Sequence, residues 1–499
     1  MKKEPNILHL FVDQQRFDTI RALGNSVIKT PNLDRLCQEG VAFTNAYSPS
    51  PVCVSARCSM IMGQYPMNTG CLENTAMPTD GRQTFMDALT QAGYRTHGIG
   101  KCHFTPNSHA LRGFQSRERQ EENGARSLEG EDYLQYLKDK GYDHLCEPMG
   151  VRGEMYYIPQ PSQLAPEDHP TQWIGDRSIA FIEKESNKEE PWYLYSSFIH
   201  PHPPFAPPNP WHKLYRAPLM PLPKVPADVE SLQTYINRFQ NRYKYRDQGL
   251  DNNLLRCMKA YYYACISFVD YQIGRILDCL EANNELDNTL ILFTTDHGEH
   301  LGDYNCFGKR SMHDSCARIP FIVRQPGKFE GGIQCDTPVS LVDIAPTFLE
   351  AADAQIETHT LDGVDLSKLL TGEIERELVF GQLAPGKGDY AAVSTYMAVS
   401  REWKYFYSAP DDKEYLFDKI HDPEETRNRA GLPFSEKPLK DIRQKLMDYL
   451  SETGMTAGLE EGKWKQFPRL DVSSDPDSGL LIQDGYTPWV DTHIPKYSE

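Results

Sequence analysis

Apolar and polar positions alternate along this chain as short apolar runs, each stopping abruptly at a polar cluster, with amphipathic stretches between them. Residues 6–12 form a continuous apolar run that ends at Asp13, Gln14 and Gln15. That is the pattern of a buried strand whose C-terminal end presents polar groups. Pro31–Gly40 (PNLDRLCQEG) predicts a short helix, with Pro near its start and Gly after its end. Thr84–Gly93 predicts another helix and Tyr94–Gly100 the strand that follows. Trp192–Ile199 (WYLYSSFI) and Thr289–Thr295 (TLILFTT) read as further strands, running straight into His200-Pro201-His202 and Asp296-His297-Gly298. Leu255–Asn283 carries apolar positions at three- and four-residue spacing and predicts a long helix. Strands alternating with helices imply an α/β protein with a large mixed, mostly parallel, doubly wound sheet flanked by helices. Ligands bind such sheets beyond the carboxyl ends of the strands. Three of the predicted strands end there in Asp, His or Asp-His, and together they define a candidate site.

After about residue 375 the texture changes. Tyr396–Tyr407 and Glu414–Phe417 read as antiparallel strands, and Lys437–Leu450 as a helix. The expected division is a catalytic α/β domain over 1–375, with a Pro-rich irregular insertion at 151–226, and a smaller α+β domain with its tail over 376–499. The tail from Gly458 is rich in Asp, Pro, Gly and aromatic residues. It is expected to wrap the surface or to meet a neighbouring subunit of a homo-oligomer.

Charge narrows the partners. The net charge of −18 argues against nucleic acid, which needs a basic surface. No stretch approaches the roughly 20 apolar residues of a membrane span. The apolar run near the N-terminus is too short for a signal peptide and lacks a cleavage site. As given, the chain is expected to be cytoplasmic, or periplasmic or exported if a leader has been trimmed. The 12 Cys contain no CxxC pair and are expected to be reduced structural thiols, Cys53 excepted.

Cys53 and Arg57 lie in PVCVSARCSMIMGQYP, one helical turn apart. A helix beginning at Cys53 would set the thiol against free backbone N–H groups, a good place for a nucleophile or an anion. Alone, Cys-x-x-x-Arg equally describes a buried thiol and a surface cation. In context, the segment resembles the formylglycine-directing signature of type I sulfatases of the alkaline-phosphatase-like superfamily. Further segments resemble that family's motifs in order: Asn6–Asp13, Gly100-Lys101-Cys102-His103, Pro201-His202-Pro203-Pro204, Asp296-His297-Gly298-Glu299, Gly308-Lys309 ahead of Arg318-Ile319-Pro320, and the turn within Asp418–Asn428. Two departures stand out. Ser55 occupies the signature position usually held by Pro or Ala. Gln14 replaces a second carboxylate, as in the choline-sulfatase-like and phosphonate-monoester-hydrolase-like branches.

The resemblance implies hydrolysis of a sulfate monoester of a sugar or other small organic molecule. Cys53 would be converted by a formylglycine-generating enzyme to 3-oxoalanine (formylglycine). One divalent metal, Ca²⁺ or else Mg²⁺ or Mn²⁺, would be held by Asp13, Gln14, Asp296, His297 and the modified Cys53. It also implies Arg57 and Lys101 as clamps on the sulfate oxygens and His103 as the base that lets the sulfated hemiacetal collapse. His202 and Lys309 would be proton donors to the leaving group. His200 is expected either to contact substrate or to flank His202, while His300 and His313 are weaker candidates. Two alternatives stay open: a phosphonate monoester or phosphodiester hydrolase, kept in play by Gln14, and an inactive binding protein on the same fold, kept in play by Ser55.

Overall fold

In the computed structural model the described residues are 4–472, apart from 123–129, 143, 146, 153–154, 187, 241–250 and 386–388. The expected tail interface falls largely on 473–499, outside them. An eight-stranded sheet organises the chain. Its centre is β1 (Asn6–Asp13), buried along its whole length. On one side β1 pairs in parallel with β6 (Trp192–Pro201), which is followed by β4 (Arg95–Gly100) and β5 (Ser116–Arg119), also parallel. On the other side it pairs in parallel with β7 (Thr289–Thr295). Beyond β7 lies the antiparallel β9 (Phe321–Arg324), then β2 (Val41–Phe43) and β10 (Ile333–Cys335). A small second sheet joins β3 (Ala46–Tyr47), β8 (Arg318–Ile319) and β11 (Val339–Ser340).

The period of two in β1 splits the core into two layers. Leu8, Leu10 and Val12 join one cluster, formed with α1 (Pro31–Glu39), α4 (Pro170–Glu185) and α5 (Asn252–Ala282). Ile7 and Phe11 face the other, against α2 (Cys53–Met62), α3 (Phe85–Gln91) and α6 (Ile344–Ala351). Helix starts follow local chemistry. Thr84 and Asp87 form a reciprocal capping box on α3, and the Asp251 carboxylate accepts from Asn253 and Leu254 N–H at the start of α5.

One expectation needs correction. The segment 151–226 is not irregular throughout, because α4 and the inner strand β6 both lie within it. Pro170 stands at the first turn of α4, where proline starts a helix rather than breaking one.

The C-terminal part builds an antiparallel sheet, β12 (Val379–Leu383), β13 (Thr395–Val399), β14 (Trp403–Ser408) and β15 (Lys413–Asp418). The apolar stretch 396–407 is thus two strands with a turn at Ser400–Glu402 between them. One face carries α7 (Glu436–Glu452) through Leu439, Ile442 and Leu446. The other packs Met397, Phe406 and Phe417 against Tyr47, Val52 and Met312. Beneath this contact Lys404, fully buried, bridges Asp314 at 2.7 Å and Glu425 at 2.5 Å. Burial opposes ionisation of Asp314, but Lys404, Lys419 and Arg318 outweigh it and hold the carboxyl below its usual range. Burial and the nearby Asp314 push Glu425 up.

Replacing Lys404 with Met removes the cation that pairs with both carboxylates, leaves Asp314 with Arg318 and Lys419, and is expected to cost about 3–5 kcal/mol. In the variant Glu425, already pushed up, is raised further above its unfolded value and Asp314 loses part of what holds it down, so stability is retained better at low pH and lost as pH rises. Urea unfolding should therefore show a larger deficit at pH 8 than at pH 5.

Candidate active site

Because β1, β4, β6 and β7 run parallel, their C-terminal ends open on one edge. β1 delivers Asp13 and Gln14, β4 leads to Lys101 and His103, β6 to His202, and β7 to Asp296 and His297. The turns need their glycines. At Gly100, with φ +88°, any Cβ would collide with the Ser197 carbonyl oxygen, and at Gly298 with that of Ser315.

Cys53 is the first residue of α2, a helix buried at all ten positions. Asn74 Oδ1 accepts the Val54 N–H at 3.0 Å, taking up one free donor of the first turn. Ser55 donates its hydroxyl to the Cys71 carbonyl. Arg57, 1% exposed, donates from all three nitrogens. Nε reaches Asp296 Oδ2 at 3.0 Å and Nη2 reaches Asp13 Oδ2 at 3.1 Å. Nη1 reaches Lys101 O, the Tyr195 hydroxyl and Ser197 Oγ. Its expected role of gripping substrate oxygens is not what the geometry favours, since a guanidinium this deep must be matched by protein acceptors.

Around Cys53 Sγ stand Lys309 Nζ at 2.7 Å, His297 Nε2 at 3.3 Å and Asp13 Oδ1 at 3.8 Å. Burial and Asp13 oppose a thiolate, but Lys101, Lys309 and His297 outweigh them and bring the thiol down to about 7. Burial also opposes ionisation of Asp13, whose carboxyl is nonetheless held well below its usual range by Lys101, His202, Lys309 and Arg57. His297 Nδ1 donates to the Gly298 carbonyl at 3.0 Å and His202 Nδ1 to the Pro203 carbonyl at 2.7 Å. Each ring therefore turns its Nε2 into the site. Burial, with Lys309 and Lys101, keeps His202 well below the ordinary histidine value. His103, partly exposed at φ +54°, has a buried Nδ1 without a partner among the described residues. Its pKa is lowered to about 3 by burial and Lys101.

A cation fits here. Single ligand atoms of Asp13, Cys53, Asp296 and His297 lie within 4.8 Å of one another, all on buried residues. Gln14 donates Nε2 to Glu299, leaving its buried Oε1 unpartnered. Two carboxylates, an imidazole nitrogen and an amide oxygen form a mainly hard donor set.

His200 turns away from the cluster. It is 4% exposed and turns toward the start of α4, with Nδ1 3.3 Å from Thr171 Oγ1 and its ring 5.0 Å from that of His169. Burial lowers its pKa to about 4. It flanks His202 rather than facing Cys53. His300 and His313 also lie outside the cluster, bonded to Asn237 and Ser315, and to Ser311, respectively.

Several carboxylates have no role assigned from the sequence. Glu122 pairs with Lys101 and lies 3.3 Å from His202 Nε2. Glu121 accepts the N–H groups of Cys102 and His103 and so shapes the turn that carries Lys101. Glu299 accepts from Gln14, Tyr157, Leu301 N–H and Gly308 N–H. Glu73 pairs with Arg310. The available signal for the first two was their place just beyond β5, on the same sheet edge as the other groups.

A sequence model of the Sulfatase family matches residues 5–354, and one for the C-terminal part of N-sulphoglucosamine sulphohydrolase matches 302–453. Choline-sulfatase of Rhizobium meliloti (strain 1021) is 30% identical, over 99% of this chain and 95% of its own. Arylsulfatase of Clostridium perfringens (strain 13 / Type A) is 29% identical, over 91% and 96%. The crystal structure of the phosphonate monoester hydrolase of Agrobacterium radiobacter superposes with a TM-score of 0.78 at 24% identity, covering 90% of this chain and 96% of that one. At that identity the likeness speaks for the fold.

Replacing Arg57 with Met should cost about 3–5 kcal/mol in urea unfolding with chelator present, because Asp13 and Asp296 lose the cation between them. An unchanged unfolding midpoint would show that the two carboxylates do not depend on Arg57.

Proposed function

The chain belongs to the sulfatase family and is a sulfuric ester hydrolase, and from that premise we propose that it cleaves the sulfate monoester of a sugar or other small organic molecule through formylglycine at position 53 beside a divalent cation. The observation that carries the reading is the set of groups around Cys53 Sγ: a lysine, an imidazole nitrogen and a carboxylate oxygen within 3.8 Å, next to a cluster suited to a cation. When bound, the cation would polarise the sulfate, and the hydrated aldehyde would offer one hydroxyl for attack and a second for release of sulfate.

The remaining work belongs to the chain's own side chains. Asp13, Gln14, Asp296, His297 and residue 53 would hold the cation. Lys101 binds the non-bridging sulfate oxygens and exchanges Glu122 for substrate as it does so. Lys309 would give the leaving oxygen its proton, and His202 could do so only after its Nε2 has first taken one up. His103, neutral by virtue of its surroundings, accepts the proton whose loss frees sulfate. Arg57 acts as a positioning residue, fixing Asp13 and Asp296. Gln14, with one negative charge fewer than a carboxylate, also supports a second reading, phosphonate monoester cleavage by the same groups.

After production with a formylglycine-generating enzyme, the peptide spanning Cys53 should weigh about 18 Da less, and the protein should hydrolyse aryl sulfates faster than phenyl phosphonate esters. An unmodified thiol, or faster phosphonate turnover, would count against the first reading. Divalent cation at about 100 times its dissociation constant should stabilise the protein by about 2.7 kcal/mol in thermal unfolding. The Asp296→Asn variant should lose that gain.

A further inference from the structure

Arg310 follows Lys309 in the loop that reaches residue 53, and its backbone N–H donates to the Pro51 carbonyl at 2.9 Å, two residues before Cys53. Its backbone stands at φ +71°, a left-handed conformation that a long side chain adopts only when its surroundings enforce it. The side chain is held on one edge only. Nε meets both oxygens of Glu73 at 3.0 Å and Nη2 meets Oε1 at 2.8 Å. Glu73 is itself fixed, because its Oε1 accepts the N–H of Asn74, whose Oδ1 caps Val54 in the first turn of α2.

A guanidinium has five N–H groups, and this side-on pairing uses the edge formed by Nε and Nη2. The end-on edge, one N–H from each Nη, stays open. No partner for Nη1 appears among the described residues, and the side chain keeps 11% exposure in an otherwise buried wall. Burial works against the Arg310 charge, while Glu73 restores it and Cys53 and Tyr156 lie near enough to add to it. Two parallel donors of fixed spacing match the two oxygens of a carboxylate or sulfate group.

We propose that Arg310, braced by Glu73, is a specificity-determining residue that receives a second oxyanion of the substrate, so that the preferred sulfate ester carries a carboxylate or a further sulfate near the scissile one. The proposal deepens the sulfatase reading and rests on it for which ester is cleaved. The anion seat itself can be read by binding alone.

Calorimetry on the full chain with Cys53 unmodified, so that nothing turns over, should compare phenyl sulfate, 2-hydroxymethylphenyl sulfate, 2-carboxyphenyl sulfate and 1,2-phenylene disulfate. Wild type should bind the last two at least tenfold more tightly than the first two. The carboxylate and disulfate arms tell which oxyanion is preferred. Arg310→Gln should bring that ratio close to one, and so should Glu73→Gln/Arg310→Gln, which leaves no unpaired carboxylate if the single variant folds poorly. Equal binding of all four ligands by wild type, or a preference that survives in both variants, overturns the proposal. If binding shows the preference and the formylglycine form cleaves none of the four, the sulfatase reading fails and the anion seat stands.

Discussion

Two carboxylates buried side by side, Asp13 and Asp296, are what the rest of the site is arranged to tolerate. Placed at the ends of adjacent parallel strands, they would repel one another and resist burial. Arg57 answers both at once, and Lys101 adds a second cation on Asp13. The direction of each charge follows. Asp13 Oδ2 is taken by cations from the protein, while Oδ1 is turned toward Cys53 and His297. Arg57 reaches the carboxylates only because α2 starts at Cys53 and is buried on every side. The same helix therefore sets the position of Cys53 and the neutralisation of its neighbours.

Much of this was legible in the chain. The strands β1, β6 and β7 announce themselves as apolar runs, and the polar residues at their ends are the ones that converge. Motif order supplied Lys101, His103, His202 and Lys309. What escaped is instructive. Glu121, Glu122 and Glu73 lie in polar loops where one carboxylate looks like any other, and only the fold reveals which cation each one meets. Arg57 was legible as a residue but not in its partners, since Asp296 lies 239 residues further along the chain. Which way His200 turns was not legible, because it neighbours His202 in sequence while its ring faces Thr171 at the start of α4.

One tie between the C-terminal sheet and the site runs through the loop after Lys309. After Lys309 and Arg310 the loop passes Asp314, the anchor of Lys404, and ends in β8 and β9. The buried Lys404 pairs fix the far end of that loop, and β7 fixes the near end. A domain carrying none of the strand-end residues thus helps to hold the lysine nearest the nucleophile.

The burial of α2 also bears on when residue 53 could be modified. Cys53 and Arg57 are each 1% exposed, and Ser55 is wholly enclosed with its hydroxyl on the Cys71 carbonyl. If residue 53 is converted to formylglycine as proposed, an enzyme that reads residues 53–57 could not grip them in the folded molecule. The conversion would then have to precede the closure of β1 and β7 over the segment, and a folded molecule that missed it would need to unfold to be modified.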